Sequence, residues 1–332
     1  MRNVFRMLVI ALLVACAAGC GKQSGAKSDR ITIAVIPKGT MHEFWKSVHA
    51  GAVKASRELG VDVIWKGPTK EDDRDAQIAV VEDFITRGVS GIALAPLDDA
   101  ALRAPVANAA NSGIPVVIFD SGLQGGDFVS FVATDNYKGG RIAGGHMASI
   151  LDGKGRVMML RYSEGSESTM QREKGFMDAI AEHPGIKVVS SNQYGGVTPE
   201  SAYKAGENLL SRFKKDGVLG VDGIFCPNES TTFGMLRALQ DGGYAGKVKY
   251  VGFDGSKQLI DGMKRGHIHG LVLQNPMRMG YMAVKTMTEH LQGKQVPAKV
   301  DTGAKLVTPG NMNTPEMQEL LQPDLEKWLG GE

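Results

Sequence analysis

Two segments of this 332-residue chain repeat one another. "RGVSGIALAP" (87–96) and "LGVDGIFCP" (219–227) share a G-V-x-G-I core, an apolar strand-like run and a closing proline. Downstream, "VVIFDSG" (116–122) answers "YVGFDGS" (250–256). Pro96 to Asp120 spans 24 positions and Pro227 to Asp254 spans 27. Two anchors at near-equal spacing mark one structural unit used twice. The blocks run over roughly 31–122 and 155–256, so the chain folds around two similar cores, as its length also suggests.

Each block alternates apolar, β-branched runs with amphipathic helical stretches. Strands are expected near 31–37, 61–66, 90–95, 114–119, 155–161, 186–191, 222–226, 247–253 and 268–274. Helices are expected near 42–59, 73–87, 99–112, 137–151, 169–183, 198–214, 229–242, 256–265 and 277–292. Strands and helices in this alternation build βαβ units and parallel sheets. Runs such as "IPVVIF" (114–119) suit strands covered on both faces. The expected fold is α/β: two doubly wound, Rossmann-like lobes. Residues 30–134 with 275–303 form the first, and 135–274 with 304–332 the second. The chain passes between them through "FVSFVATDN" (128–136), "HGLVLQNP" (269–276) and "KVDTGAKLV" (299–307), a three-segment hinge. The tail "TPEMQELLQPDLEKWL" (314–329) reads as a short amphipathic helix covering a surface.

The first twenty residues differ in kind. Arg2 and Arg6 precede the apolar run "MLVIALLVA" (7–15) and the small residues "CAAGC" (16–20), the pattern of a secretory signal. The run is shorter than the about 20 residues a permanent span requires. "AAGC" ending at Cys20 resembles a bacterial lipobox, and "LVAC" ending at Cys16 fits the same loose pattern. Cys20 is preferred because it leaves a longer apolar core and a polar linker, 21–29, behind it. Cys226 would then be alone, with no intramolecular disulfide. Loss of Arg2 and Arg6 would leave 36 basic against 36 acidic side chains, and no basic stripe appears. Nucleic acid is therefore not an expected partner.

In open parallel sheets, ligands bind beyond the carboxyl ends of the strands. Past the expected strand ends lie Lys38, His42, Phe44, Trp45, Asp120, Ser121, Arg172, Asn228, Asp254 and Gln274. Asp, Asn, Arg and Gln carry planar heads that suit vicinal hydroxyls. Phe44 and Trp45 offer flat faces to the C–H side of a sugar ring. Asn136 is expected to cap the following helix.

All of these but Lys38 lie in "HEFWKSVHAGA", "IPVVIFDS", "ATDNYKGGRIAG", "QREKGFMDAI", "FCPNE", "VGFDGS" and "LVLQNP". In these motifs the chain resembles the type I periplasmic binding proteins of the ribose-binding, simple-sugar transport family, over nearly all of 30–308. The resemblance implies two lobes closing on a sugar by a hinge and delivering it to an ABC permease; no cofactor and no catalysis are expected. It places sugar contacts at Phe44, Trp45, Asp120, Arg172, Asn228, Asp254 and Gln274. It also implies a second-lobe aromatic, for which Tyr194 is nearest. Three positions depart from the ribose-binding pattern. Lys38 stands for a small hydroxyl, His42 for an asparagine and Ser121 for a second arginine.

The expected product is a monomeric lipoprotein at the periplasm or cell surface. Alternatives are a sugar or autoinducer sensor acting with a chemoreceptor, and the effector domain of a transcriptional regulator. The export signal stands against the last. Asp120 and Asp254 could be posed as a glycosidase pair, but they fall in separate lobes. His267 and His269 form an H-x-H without a third ligand nearby, so no metal is expected. There is no G-x-x-x-x-G-K-[ST], no G-x-G-x-x-G opening the first helix and no G-x-S-x-G.

Overall fold

The computed structural model describes residues 30–330. The signal segment 1–20, both lipidation candidates Cys16 and Cys20, and the linker 21–29 lie outside the described residues. Among those described, no helix is long and apolar enough to cross a membrane.

Two six-stranded sheets form the body. The first contains β1 (Thr32–Ile36), β2 (Asp62–Trp65), β3 (Gly91–Leu94), β4 (Val116–Phe119), β5 (Ser130–Ala133) and β13 (Lys299–Asp301). Its order is β13-β5-β4-β3-β1-β2, parallel throughout. The second contains β6 (Gly155–Arg161), β7 (Ile186–Tyr194), β10 (Gly223–Phe225), β11 (Lys249–Phe253), β12 (Gly270–Leu273) and β14 (Lys305–Val307). Its order is β14-β12-β11-β10-β6-β7, parallel except for the β12–β14 pair. A two-stranded ribbon, β8 (Lys214–Lys215) and β9 (Val218–Leu219), stands apart. The order β4-β3-β1-β2 recurs as β11-β10-β6-β7, which is the sequence repeat in three dimensions.

Helices cover both faces of each sheet, so the strands carry continuous apolar runs. In β1, Ile33 and Val35 pack toward α1 (Glu43–Leu59) and α9 (Pro276–Leu291). Ala34 and Ile36 pack toward α2 (Arg74–Arg87) and α3 (Arg103–Asn111). The second sheet is covered on one side by α4 (Asn136–Ile150) and α5 (Glu167–Ala181). On its other side lie α6 (Pro199–Arg212), α7 (Glu229–Asp241), α8 (Lys257–Lys264) and α10 (Pro315–Leu321). The α1–α9 contact depends on glycine. A Cβ on Gly51 would stand 1.9 Å from the Met277 carbonyl oxygen, and one on Gly280 would stand 2.0 Å from that of Val48.

The crossing segments bond to one another. The Thr134 hydroxyl donates to the Gly303 carbonyl at 3.3 Å, and the Asp135 N–H donates to the Asp301 carboxylate at 3.1 Å. The tail departs from its expected form, because it makes two helices. Pro323 disfavours helical geometry at Gln322, which has φ −138°, and α10 ends there. Met317 and Leu321 of α10 are buried in the second lobe. The last helix, α11 (Glu326–Leu329), instead packs on α1 of the first lobe. There the Arg57 guanidinium donates to the carbonyls of Lys327 and Trp328 at 3.3 and 2.9 Å. The assignment of 304–332 to the second lobe is thus corrected for its final helix.

Candidate functional site

The carboxyl ends of both sheets face one another. Lys38 follows β1, Asp120 and Ser121 follow β4, and His42, Phe44 and Trp45 open α1. From the other side come Arg172 on α5, Asn228 after β10, Asp254 after β11 and Gln274 after β12. All of these except Ser121 line one space between the lobes. Larger hollows of about 260 and 490 Å³ lie beside the C-terminal segment, but the inter-lobe space gathers more buried polar heads than either.

The repeat explains the two aspartates. Asp120 and Asp254 have φ of +62° and +67°, a region rare for residues other than glycine, asparagine and aspartate. Each N–H donates to the next strand, Asp120 to the Val132 carbonyl and Asp254 to that of Val272. The same left-handed kink at equivalent strand ends turns both carboxylates into the gap. Strain of this kind gathers at functional sites.

The polar heads are mutually bound. The Lys38 ammonium lies 3.1 Å from Asp120 and donates to the Ser168 hydroxyl of the second lobe at 2.9 Å. Arg172 donates to Asn136 at 2.8 Å and to the Pro227 carbonyl at 3.0 Å, stacks over Phe253 and lies 4.0 Å from Asp254. Asp254 accepts from the Gln274 amide at 2.8 Å and from the Glu229 N–H at 3.0 Å. Asn136 is not the helix cap. Asp135 caps α4, which frees Asn136 to donate to the Asp120 carbonyl and to hold Arg172. Ser121 is fully buried behind the site, its hydroxyl accepting from the Ser168 N–H at 3.0 Å. Trp45 is both core and wall: it is 3% exposed, meets Phe119 edge-on at 6.3 Å and borders the cavity.

Tyr194 is placed elsewhere. It ends β7, the edge strand, and lies under the Arg161 guanidinium, 4.5 Å from its ring centroid. The aromatic that the second lobe brings to the cavity is Tyr162, just after the interior strand β6. Two carboxylates also join the site unforeseen. Glu71, after β2, binds His42, and Glu229, at the start of α7, accepts from the Glu43 and Phe44 N–H groups at 3.3 and 3.2 Å. Glu229 thereby caps a first-lobe helix from the second lobe.

These contacts shift several ionisations. Burial opposes a charged His42, but the charge and hydrogen bond of Glu71, aided by Glu229 and Asp254, outweigh it and raise the imidazole to about 9. Burial likewise opposes a charged Glu71, yet His42, Lys38 and the Trp45 indole hold it at about 2. Burial pushes Glu229 up to about 7, with His42 opposing and Asp254 reinforcing. Asp254 is raised by burial against the pull of Arg172. The His42 contribution to stability is complete below its ordinary 6.5 and is lost as pH rises through 9. That of Glu71 is present above its ordinary 4.5 and is lost as pH falls through 2. Glu229 adds a loss between 4.5 and 7. Urea titrations from pH 3 to 10 should therefore show stability declining on the alkaline side, by on the order of 2–3 kcal/mol. A flat profile between pH 6.5 and 9.5 would contradict the His42–Glu71 pairing.

Outside the site, His267 bonds Gln240, and His269 accepts from the Tyr250 N–H. Among the described residues no cluster of His, Cys, Asp and Glu is arranged to hold a metal ion. Cys226 is buried, with its thiol pushed up to about 12 by that burial.

Residues 33–295 match the profile of the periplasmic binding protein domain. The chain belongs to the periplasmic binding protein family. The ribose import binding protein of Haemophilus influenzae is 30% identical over 285 residues, covering 86% of this chain and 94% of that one. The D-allose-binding periplasmic protein of Escherichia coli is 29% identical over 283 residues, covering 82% and 89%. Among solved structures, a carbohydrate transporter solute binding protein from Agrobacterium radiobacter in complex with D-arabinose superposes with a TM-score of 0.83. It is 35% identical and covers 89% of this chain and 99% of its own. The family's type I fold, two parallel-sheet lobes joined by crossing segments, is the architecture described above.

Proposed function

We propose that this periplasmic binding protein captures a neutral monosaccharide between its lobes and passes it to an ABC permease. The observation that carries the reading is Gln274. It is 4% exposed, and its Oε1 is the one buried side-chain atom among the described residues without a hydrogen-bond partner. Its amide orientation follows from the bond to Asp254, which needs an N–H donor. Gln274 lines the inter-lobe space, and its Oε1 is left as an unpaired acceptor, the complement of a ligand hydroxyl.

Charge balance supports a neutral ligand. Lys38, His42 and Arg172 face Asp120, Glu71, Asp254 and Glu229, and each cation already has a carboxylate beside it. No surplus positive charge is left for a sugar acid. Relatives named for ribose and D-allose, and a neighbour solved with D-arabinose, agree with this class. Binding without catalysis suits the two aspartates, which sit on different lobes. Export with lipidation at Cys20, a periplasmic or cell-surface location and a monomeric state complete the proposal.

A thermal-shift screen over pentoses, hexoses, polyols and sugar acids tests it. At 100-fold excess over Kd, a ligand adds about 2.7 kcal/mol, a rise of roughly 5–10 °C for a chain of this size. Neutral aldoses or ketoses should produce it and sugar acids should not. A larger rise with a sugar acid, or none with any sugar, would overturn the reading.

A further inference from the structure

Glu71 sits in the loop between β2 and α2 and gathers three donors on its carboxylate. Its Oε1 accepts from His42 Nδ1 and from Trp45 Nε1, each at 2.7 Å. Its Oε2 accepts from the Tyr162 hydroxyl, also at 2.7 Å. Two donors belong to the first lobe and the third to the second. Short bonds to an ionised carboxylate are the strong kind. The loop is seated against the β1–α1 turn, where the Thr40 N–H donates to the Thr69 carbonyl. Gly39 leaves room for the carboxylate's stem: a Cβ there would stand 2.9 Å from Glu71 Cγ.

All three donors are ring-bearing walls of the cavity. With three donors already on its two oxygens, Glu71 has little capacity left for a ligand hydroxyl. Its effect on a ligand runs through the rings it holds. We propose that Glu71 is a positioning residue: it sets the His42 and Trp45 rings in place and, through Tyr162, joins the second lobe to them when the cleft closes on sugar. This rests on the monosaccharide reading. It also accounts for His42, whose imidazole is turned to the carboxylate as an anchor of the wall.

Two conservative variants test the assignment. Glu71→Gln keeps the shape but has one acceptor oxygen for three donors. Tyr162→Phe removes only the bond that ties Glu71 to the second lobe. Sugar affinity, measured calorimetrically at pH 7, should fall about ten- to hundredfold in Glu71→Gln. It should fall less in Tyr162→Phe, and the double variant should lose no more than Glu71→Gln alone, since the Tyr162 bond to Glu71 is common to both changes.

A second readout needs no ligand. His42 faces Glu71 from the β2–α2 loop, Glu229 from α7 and Asp254 from the end of β11, while Lys38 acts on Glu71 from beyond β1. Its imidazole titration by NMR should lie near 9 in the native protein and move toward 6.5 in Glu71→Gln. The titration checks the His42–Glu71 pairing, while a purely structural role would lower the melting temperature without weakening sugar binding by the folded protein. Native affinity in Glu71→Gln, an unmoved His42 titration, or additive losses in the double variant would each overturn the proposal. If His42 moves as expected but the native protein binds no sugar, the His42–Glu71 pairing stands and the monosaccharide reading fails.

Discussion

Asp254→Ala should abolish sugar binding, raising Kd by more than about 100-fold, or about 3 kcal/mol. The carboxylate organises its neighbours from both sides. Without it the Gln274 amide loses its acceptor, the Glu229 N–H loses its cap, and Arg172 is left buried beside no carboxylate. Removing one member of a buried charged set costs far more than the set itself contributes. Backbone geometry must be separated from chemistry, because Asp254 sits at φ +67°. Alanine there adds about 1–2 kcal/mol of left-handed strain, which glycine avoids. Asp254→Gly should therefore melt higher than Asp254→Ala while binding sugar no better. Either variant retaining a Kd within tenfold of the native protein would remove Asp254 from the site.

The repeat made most of this architecture readable. Its anchors lie on β3–β4 and β10–β11, and the aspartates that close them face one another across the cleft. What escaped notice depends on neighbours that only the fold supplies. Glu71 lies in "PTKEDDRD", where nothing local separates one buried carboxylate from its solvated companions. Tyr162 and Tyr194 both end strands, but only the strand order β10-β6-β7 puts the first inside and the second at an edge. Asp135 and Asn136 are both cap formers, and the choice between them rests on Arg172, 36 residues away. Lys38 and His42 depart from the ribose-binding pattern without a partner visible in the motifs, and the structure pairs them with Asp120 and Glu71. The short strands β5, β13 and β14 sit in crossing segments, where the partner strand, not the local pattern, creates the ladder.

A substitution outside the cavity should disturb it nearly as much. Gly140 lies on α4 against α5, and a Cβ there would stand 2.0 Å from the Arg172 carbonyl oxygen and 2.9 Å from its Cα. The contact is reciprocal, since a Cβ on Gly175 of α5 would stand 2.1 Å from the Tyr137 carbonyl oxygen. On helix propensity alone, Gly140→Ala should stabilise by about 1 kcal/mol. The obstruction is backbone, which cannot rotate aside, so the helices must separate. Overpacking of this kind costs about 1–3 kcal/mol or more. The displaced segment carries Arg172, whose bond to Asn136 starts one turn earlier on the same helix. Gly140→Ala should thus lower the melting temperature by roughly 5 °C and weaken sugar binding at least tenfold. Gly145, on the exposed side of α4, has nothing within 4 Å of its Cβ position. Gly145→Ala should therefore raise the melting temperature and leave Kd unchanged. If both alanines stabilise alike, the close approach of α4 and α5 does not hold Arg172 in place.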